Sequence, residues 1–133
     1  MRRKAKIHAL QVLIVPAQMA SFQTGYAAAS AILDYGATAA VAFDDLMAQG
    51  ALAGLAARGV SIPRDFSVVG CDDVLGAMTY PPLSSVSNAC AEAGRVAVSL
   101  LMDMLKTRVV RDVRYVLSTS LVIRDTTGAA ATR

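Results

Sequence analysis

The feature that most constrains the fold is a repeated pattern in which a short apolar run ends at a pair of aspartates. Residues 39–43 run into Asp44 and Asp45, and residues 66–71 run into Asp72 and Asp73. Short apolar runs separated by a helix-type pattern are typical of strands in a parallel sheet. Because ligands bind outside the carboxyl ends of such strands, the sequence predicts a polar, ligand-gripping edge.

Strands and helices alternate through the first half of the chain. The predicted elements are a strand at 11–15, a helix from Ser21 to Gly36, a strand at 39–43, a helix from about Asp45 to Arg58, and a strand at 66–71. Right-handed crossovers would make the three strands parallel and bring the residues after Val15, Phe43 and Cys71 to one rim. We therefore predict an α/β fold, a parallel sheet flanked by helices.

The second half is less regular. Pro81 and Pro82 force extended backbone and mark a crossover, which leads to an extended segment at 84–86. An amphipathic helix, capped by Asn88 and continuing to Lys106, has an apolar stripe that needs a partner surface. Residues 115–118 and 121–124 read as strands.

Composition excludes several classes of protein. A hydrophobic content of 55% with 17% charged residues excludes disorder, and no apolar stretch is long enough to cross a bilayer. The basic cluster at 2–6 is interpreted as a solvated end. Two cysteines form no disulfide framework, and His8, Gln11 and Pro16 interrupt a weak resemblance to a secretion signal. These features predict a cytoplasmic protein.

Enzyme signatures are scarce. His8 is the only histidine, and the chain has no phosphate-binding loop and no zinc pattern. Asp44, Asp45 and Asp72 are candidates for holding Mg²⁺ in phosphoryl transfer or in a receiver-like domain, but no lysine follows a predicted core strand. We predict a protein that is not an enzyme, with no cofactor and no metal.

Carboxylates at the sheet edge also suit a polyhydroxylated ligand. An ionised carboxylate accepts paired hydrogen bonds from adjacent hydroxyl groups. The alternative is local: Asp44 or Asp45 caps the helix that follows, and Asp72 or Asp73 caps a turn.

Four segments in order resemble the ligand-binding core of LacI/GalR-type transcriptional repressors. They are residues 43–50, 59–73, 81–86 and 121–127. The resemblance runs from 10 to 128 and implies the C-terminal half of an effector-binding core, a Rossmann-like lobe of the type I periplasmic-binding-protein-like fold. It implies the C-terminal lobe at 10–83, a crossover and a helix of the N-terminal lobe at 84–107, and returning strands at 108–125. By composition, a basic segment at 1–9 precedes these parts and a polar, alanine-rich tail at 126–133 follows them.

The resemblance also implies site residues. Asp72 is similar to the carboxylate that grips effector hydroxyls, and Asp44 stands where the family commonly has asparagine. The family's stacking aromatic falls at Ala20, with Phe22 two residues later as a substitute or as a core residue.

The partners implied are a sugar or nucleoside-like effector and a second copy of the chain. The homodimer contact would involve Met47, Gln49, Met78 and Thr79. DNA would be bound only through a headpiece that these residues lack, and no membrane partner is expected. The remaining alternative is a fragment of a periplasmic sugar-binding protein.

Overall fold

The structure, a computed structural model, describes residues 2–5, 10–110 and 112–130. His8 and most of the predicted basic segment, together with residues 131–133 of the predicted tail, lie outside the described residues. The elements are β1 Arg2–Ala5, β2 Leu10–Leu13, α1 Phe22–Asp34, β3 Ala39–Val41, α2 Asp45–Ala56, β4 Ser67–Asp72, a 3-10 turn Gly76–Met78, β5 Ser84–Ser87, α3 Cys90–Thr107 and β6 Ser120–Val122.

The main sheet has four strands in the order β3-β4-β5-β6. The pairs β3–β4 and β4–β5 are parallel, whereas β5 and β6 are antiparallel. The predicted α/β fold with a parallel pair at 39–43 and 66–71 is therefore confirmed. The carboxyl ends of β3 and β4 lie at the same edge of the sheet, and Asp44 and Asp72 are therefore both at this edge.

The predicted first strand is not part of this sheet. Residues Leu10–Leu13 pair antiparallel with β1, with Arg2 opposite Leu13 and Ala5 opposite Leu10. An apolar strand pattern does not identify the partner, because the same extended backbone can pair with any available edge. Val15 still packs against the main core as a partly buried side chain.

The core lies between the sheet and the helices α1 and α2. Its buried members are Ala29, Ile32, Ala48, Leu52, Leu55, Phe66, Val68 and Leu83. As predicted, α1 begins after Ser21, whose Oγ accepts a hydrogen bond from the Thr24 amide at 3.1 Å. The helices α1 and α2 approach closely through Gly25 and Gly50, where a Cβ would collide with the backbone of the other helix.

The segment after β6 is attached to the sheet by a buried threonine. The Thr126 hydroxyl donates to the Val68 carbonyl at 2.7 Å and accepts from the Ser84 amide at 2.8 Å. The Val68 amide in turn donates to the Thr126 carbonyl at 2.8 Å. Residue 126 therefore links the chain terminus to both β4 and β5.

Two predictions for the second half are wrong. Asn88 does not cap α3: the residue before the helix is Ala89, in left-handed backbone and without a side-chain cap. In the described part of residues 108–124, the strand is Ser120–Val122, and 115–118 is not a strand. No residue of α3 is buried, so no part of the chain that the structure describes covers the apolar stripe that the pattern predicts. No helix in the described ranges has both the length and the apolar character needed to cross a bilayer.

Candidate functional site

The candidate site is the edge of the sheet at the carboxyl ends of β3 and β4. Asp44 is the N-cap of α2, and its Oδ1 accepts a hydrogen bond from the Met47 amide at 2.7 Å. The capping alternative is therefore realised for Asp44. Its second oxygen has no hydrogen bond to the described residues and remains an acceptor at this edge.

Asp45 has a different environment, because its side chain is buried. Its Oδ1 accepts from the Ser85 hydroxyl at 2.5 Å, and its Oδ2 accepts from the Leu75 amide at 3.0 Å. Asp45 is the first residue of α2, where the helix dipole favours a carboxylate. It therefore joins the start of α2 to β5 and to the turn that follows β4.

That turn carries Asp72 and Asp73, both in positive-φ backbone, at 90° and 54°. Asp72 Oδ1 accepts from the Val74 amide at 3.1 Å, which is a local turn contact. Asp73 Oδ1 accepts from Arg124 Nη1 at 2.7 Å, and the same Nη1 donates to the Leu83 carbonyl at 2.7 Å. Arg124, which follows β6, therefore joins the turn to the residue before β5.

The electrostatic surroundings act on Asp72. Burial is the main cause that raises the pKa of its carboxyl, and the negative charges of Asp45 and Asp44 raise it further. The hydrogen bond from the Val74 amide opposes this shift. The three carboxyls are therefore close enough to interact, as the alternating pattern predicts.

Asp72 borders an opening of about 440 Å³. The other residues that line it include Asp73, Ser87, Cys90, Glu92 and Arg95. Arg95 forms an ion pair with Glu92 one turn earlier on α3. The opening therefore presents carboxylates, a hydroxyl and a guanidinium, which are hydrogen-bonding groups for a polar ligand.

The structure separates the other predicted residues from Asp72. Phe22 lines a second groove of about 420 Å³ together with Gln49, Met78 and Thr79. Ala20 is exposed and lines neither space. Four predicted site residues thus share this groove, whereas Met47 does not line it.

Sequence reasoning did not single out Ser85, Ser87 or Arg95 for the site. The parallel pairing of β4 with β5 sets Asp72 opposite Ser87, and this long-range pairing has no local signal. Residues 81–86, one of the four segments that resemble the family, include Ser85, but this resemblance does not indicate that Ser85 contacts Asp45. Residue spacing could not identify the Asp72–Ser87 pairing or the Asp45–Ser85 hydrogen bond.

Metal ligation has little support in this geometry. Across the described ranges, no group of three or more histidine, cysteine, aspartate or glutamate side chains is arranged to hold a metal ion. Both oxygens of Asp45 are engaged by Ser85 and the Leu75 amide. This carboxylate is thus occupied in structural contacts.

Asp72→Asn should raise the free energy of unfolding at neutral pH. The pKa of the Asp72 carboxyl is raised in the folded chain. The folded chain therefore loses stability as the pH rises from the unfolded-state pKa of this carboxyl to its folded-state pKa. Asparagine has no proton to lose, keeps an acceptor for the Val74 amide and tolerates positive φ. Urea unfolding should show that Asp72→Asn is more stable than the wild type at neutral pH. This difference in the free energy of unfolding should shrink as the pH falls below the ordinary carboxyl pKa.

Asp65→Asn is the matched control for this pH dependence. Its hydrogen bond with Arg64 holds the pKa of the Asp65 carboxyl below its ordinary value, so its contribution is present above the unfolded pKa and is lost as the pH falls. This variant should lose stability at neutral pH, the opposite sign. An Asp72→Asn variant that is less stable than the wild type at neutral pH would contradict the assigned environment.

The comparisons with known proteins agree with this geometry. Residues 1–127 match the family described as a periplasmic binding protein-like domain. An HTH-type transcriptional regulator of Streptomyces limosus is 38% identical over 80% of this chain and 31% of its own length. The chain spans about a third of the length of the curated relatives it matches.

Solved structures show the same similarity. A LacI family transcriptional regulator from Enterococcus faecium with bound ribose aligns with a TM-score of 0.77 and 29% identity, over 85% of this chain and 42% of that one. A LacI family regulator from Arthrobacter sp. FB24 in complex with lactose aligns with a TM-score of 0.73 and 34% identity, over 81% and 42% of the two chains. The chain therefore belongs to the periplasmic binding protein-like domain family, in the form found in the effector-binding core of LacI/GalR-type transcriptional regulators.

Proposed function

We propose that this chain is the effector-sensing part of a LacI/GalR-type transcriptional regulator and that Asp72 grips the hydroxyl groups of a sugar or a nucleoside-like ligand. The observation that carries the proposal is the position of Asp72, at the carboxyl edge of a parallel strand pair and on the rim of a polar opening. Ribose and lactose are the ligands of the two similar regulators described above, which supports this ligand class.

The chemistry of the opening fits such a ligand. A carboxylate accepts paired hydrogen bonds from neighbouring hydroxyls, and each charge-assisted bond contributes about 1.5–3 kcal/mol. Ser87 and Arg95 supply donors to the opening. Asp44 does not line it, but its carboxylate acts on Asp72 at the same edge of the sheet. Ala20 and Phe22 do not line this opening, so the proposal assigns them no ligand contact.

The regulatory role concerns the whole protein. Residues 10–83 would form the C-terminal lobe, 84–107 would cross to the other lobe, and 108–125 would return to the core. A ligand between two lobes would favour one lobe orientation, with a coupling to a DNA-binding headpiece of typically about 1–3 kcal/mol. We place this regulator in the cytoplasm and assign it no catalytic activity.

The ligand proposal is tested by calorimetric titration with D-ribose, lactose and cytidine, using wild type and Asp72→Ala. We expect at least one ligand to bind the wild type and its affinity to fall by about tenfold or more in the variant, since about 1.5–3 kcal/mol of hydrogen bonding is removed. Asp65→Ala is the control, because this exposed carboxylate precedes β4 and lies at the other end of the strand.

Binding that is unchanged in Asp72→Ala would move the site elsewhere. The absence of binding by the wild type to any of these probes would contradict the proposed ligand class. Equal losses in Asp72→Ala and Asp65→Ala would indicate a general effect on the chain rather than a lost contact.

The proposed homodimer contact involves Met47, Gln49, Met78 and Thr79. The last three line the groove that Phe22 also borders. Met78 is 74% exposed and the neighbouring Tyr80 is 99% exposed, and large exposed apolar side chains of this kind are typical of interaction surfaces. Met78→Glu should therefore shift the chain from dimer to monomer, because a carboxylate would be buried in the contact. Light scattering after size-exclusion chromatography measures the change.

Met102→Glu is the control for the dimer. Met102 is 47% exposed on α3, away from the groove. Dissociation by Met102→Glu, with no effect of Met78→Glu, would place the contact on α3 and contradict the proposed interface.

A further inference from the structure

We propose that Asp45, acting with Ser85, is a positioning residue: this buried pair holds the turn 72–75 in the conformation that presents Asp72 to the opening. The inference rests on the proposed role of Asp72 in binding the effector. It gives a function to a carboxylate that contacts no ligand-facing space itself, since Asp45 does not line the opening.

The turn needs external support because its backbone is strained. Asp72 and Asp73 have φ values of 90° and 54°, a region that residues other than glycine rarely adopt. Aspartate tolerates left-handed backbone better than most residues, but two in succession still carry a conformational cost. Such backbone persists only where surrounding contacts determine it.

Three successive amides of the turn are hydrogen-bonded to side chains. The Asp73 amide donates to Ser85 Oγ at 3.2 Å, and the Leu75 amide donates to Asp45 Oδ2 at 3.0 Å. The amide between them, that of Val74, donates to Asp72 itself. The buried pair therefore fixes the turn on both sides of the one contact that orients the Asp72 carboxylate.

The Asp45–Ser85 pair is buried and hydrogen-bonded. Asp45 is 1% exposed and Ser85 is 0% exposed, and the hydroxyl of Ser85 donates to Asp45 Oδ1 at 2.5 Å. Gly70 makes room for this contact: a Cβ there would collide with the Asp45 carboxylate and would lie 2.8 Å from Leu83 Cδ2. The start of α2, β4 and β5 thus meet at Asp45, beneath the turn.

Charge supports the same assignment. The negative charge of Asp45 is among the causes that raise the pKa of the Asp72 carboxyl, after burial. The charged side chains near Asp72 on the elements packed around it are Asp44, Asp45, Asp73, Glu92, Arg95 and Arg124. Two of these acidic groups have basic partners: Glu92 pairs with Arg95, and Asp73 pairs with Arg124. Asp44 and Asp45 have no basic partner among the described residues, and both act on Asp72.

The test is NMR of the chain as it stands, comparing wild type, Ser85→Ala and Asp45→Asn. In Ser85→Ala, amide hydrogen exchange at residues 73 and 75 should become about tenfold faster. The Asp73 amide loses its acceptor, and Asp45, which accepts from the Leu75 amide, loses the hydroxyl that holds it in place. The pKa of the Asp72 carboxyl, followed at its carboxyl carbon, should fall toward the ordinary value as the turn loosens and gains hydration.

Asp45→Asn gives the second reading and keeps the side-chain volume. The lost charge by itself lowers the pKa of the Asp72 carboxyl, so the test of positioning in this variant is amide exchange at residue 75. This exchange should become faster, because asparagine offers one acceptor oxygen where aspartate offers two, to the Ser85 hydroxyl and the Leu75 amide. Asp45→Asn therefore keeps the proposal testable if Ser85→Ala fails to fold.

Ser84→Ala is the matched control. Ser84 is also 0% exposed, but its hydroxyl bonds the Arg124 backbone and the Thr127 side chain instead of Asp45. It should lower stability without a selective change at residues 72–75. Unchanged exchange and titration in Ser85→Ala and Asp45→Asn, or equal changes in Ser84→Ala, would overturn the proposal.

These readouts are independent of ligand binding. If the wild type bound none of D-ribose, lactose and cytidine, the ligand proposal would fail, while the exchange and titration data would still decide whether Asp45 positions Asp72. If Asp72→Ala abolished binding but the Ser85→Ala turn behaved as wild type, only the positioning role would be overturned.

Discussion

Replacing Gly50 by alanine is expected to lower the free energy of unfolding by about 3 kcal/mol or more, at the upper end of overpacking effects. Gly50 lies on α2 where it crosses α1, and a Cβ there would lie 2.8 Å from the Tyr26 nitrogen and closer still to the Phe22 carbonyl oxygen. Both obstacles are backbone atoms of a helix, which cannot move aside as a flexible side chain does. The two helices would have to separate and open the core that they cover.

Gly94→Ala is the control for this prediction. Gly94 lies in α3, and a Cβ there would meet nothing within 4 Å. The same substitution should stabilise the chain by about 0.5–1 kcal/mol, because alanine loses less backbone entropy than glycine in a helix. Urea unfolding followed by circular dichroism measures both, and similar stabilities of the two variants would contradict the close approach of α1 and α2.

Thr126→Val is expected to lower the free energy of unfolding by about 2–4 kcal/mol, since two buried backbone groups lose their partner at about 1–3 kcal/mol each. Valine keeps the shape of threonine, so packing is preserved. The Ser84 amide and the Val68 carbonyl, which bond the Thr126 hydroxyl at 2.8 Å and 2.7 Å, would both be left unpaired inside the sheet. The segment after β6 would detach from β4 and β5 more readily.

The control is Thr119→Val, at an exposed position just before β6. It should leave the stability within about 0.5 kcal/mol of the wild type, as surface substitutions usually do. Hydrogen exchange adds a local measurement, because the Ser84 amide should become less protected only in Thr126→Val. A Thr126→Val variant as stable as Thr119→Val would show that the buried hydroxyl is dispensable.

Local patterns were sufficient for several elements. Ser21 followed by an apolar helical pattern predicted the start of α1, and the runs before Asp44 and Asp72 predicted β3 and β4 as parallel strands. Each of these signals lies within one segment of the chain. Capping and the periodicity of apolar residues act over a few residues, which is why they could be read directly.

Where a partner was needed, the pattern alone was insufficient. The residues of β2 read as a strand of the main sheet, yet they pair with β1. The apolar stripe of α3 was predicted, but Asn88 does not cap that helix and none of its residues is buried. The sequence pattern of a strand or helix does not indicate which surface will cover it. The partner of β2 and the environment of α3 therefore depend on long-range packing.

The chain's own residues determined the α/β class, the parallel direction of β3 and β4 and the acidic edge, because apolar periodicity and the alternation of strands with helices are patterns within short segments. The tertiary structure gives the four aspartates different roles. Asp44 caps a helix, and Asp45 is a buried acceptor that joins α2 to β5. Asp72 lies at the rim of the opening, and Asp73 forms an ion pair. The roles of the last three depend on contacts with residues such as Ser85, Ser87 and Arg124, which are more than ten positions away in the chain. Four identical side chains in two identical pairs therefore differ only by the partners that the sheet brings to them.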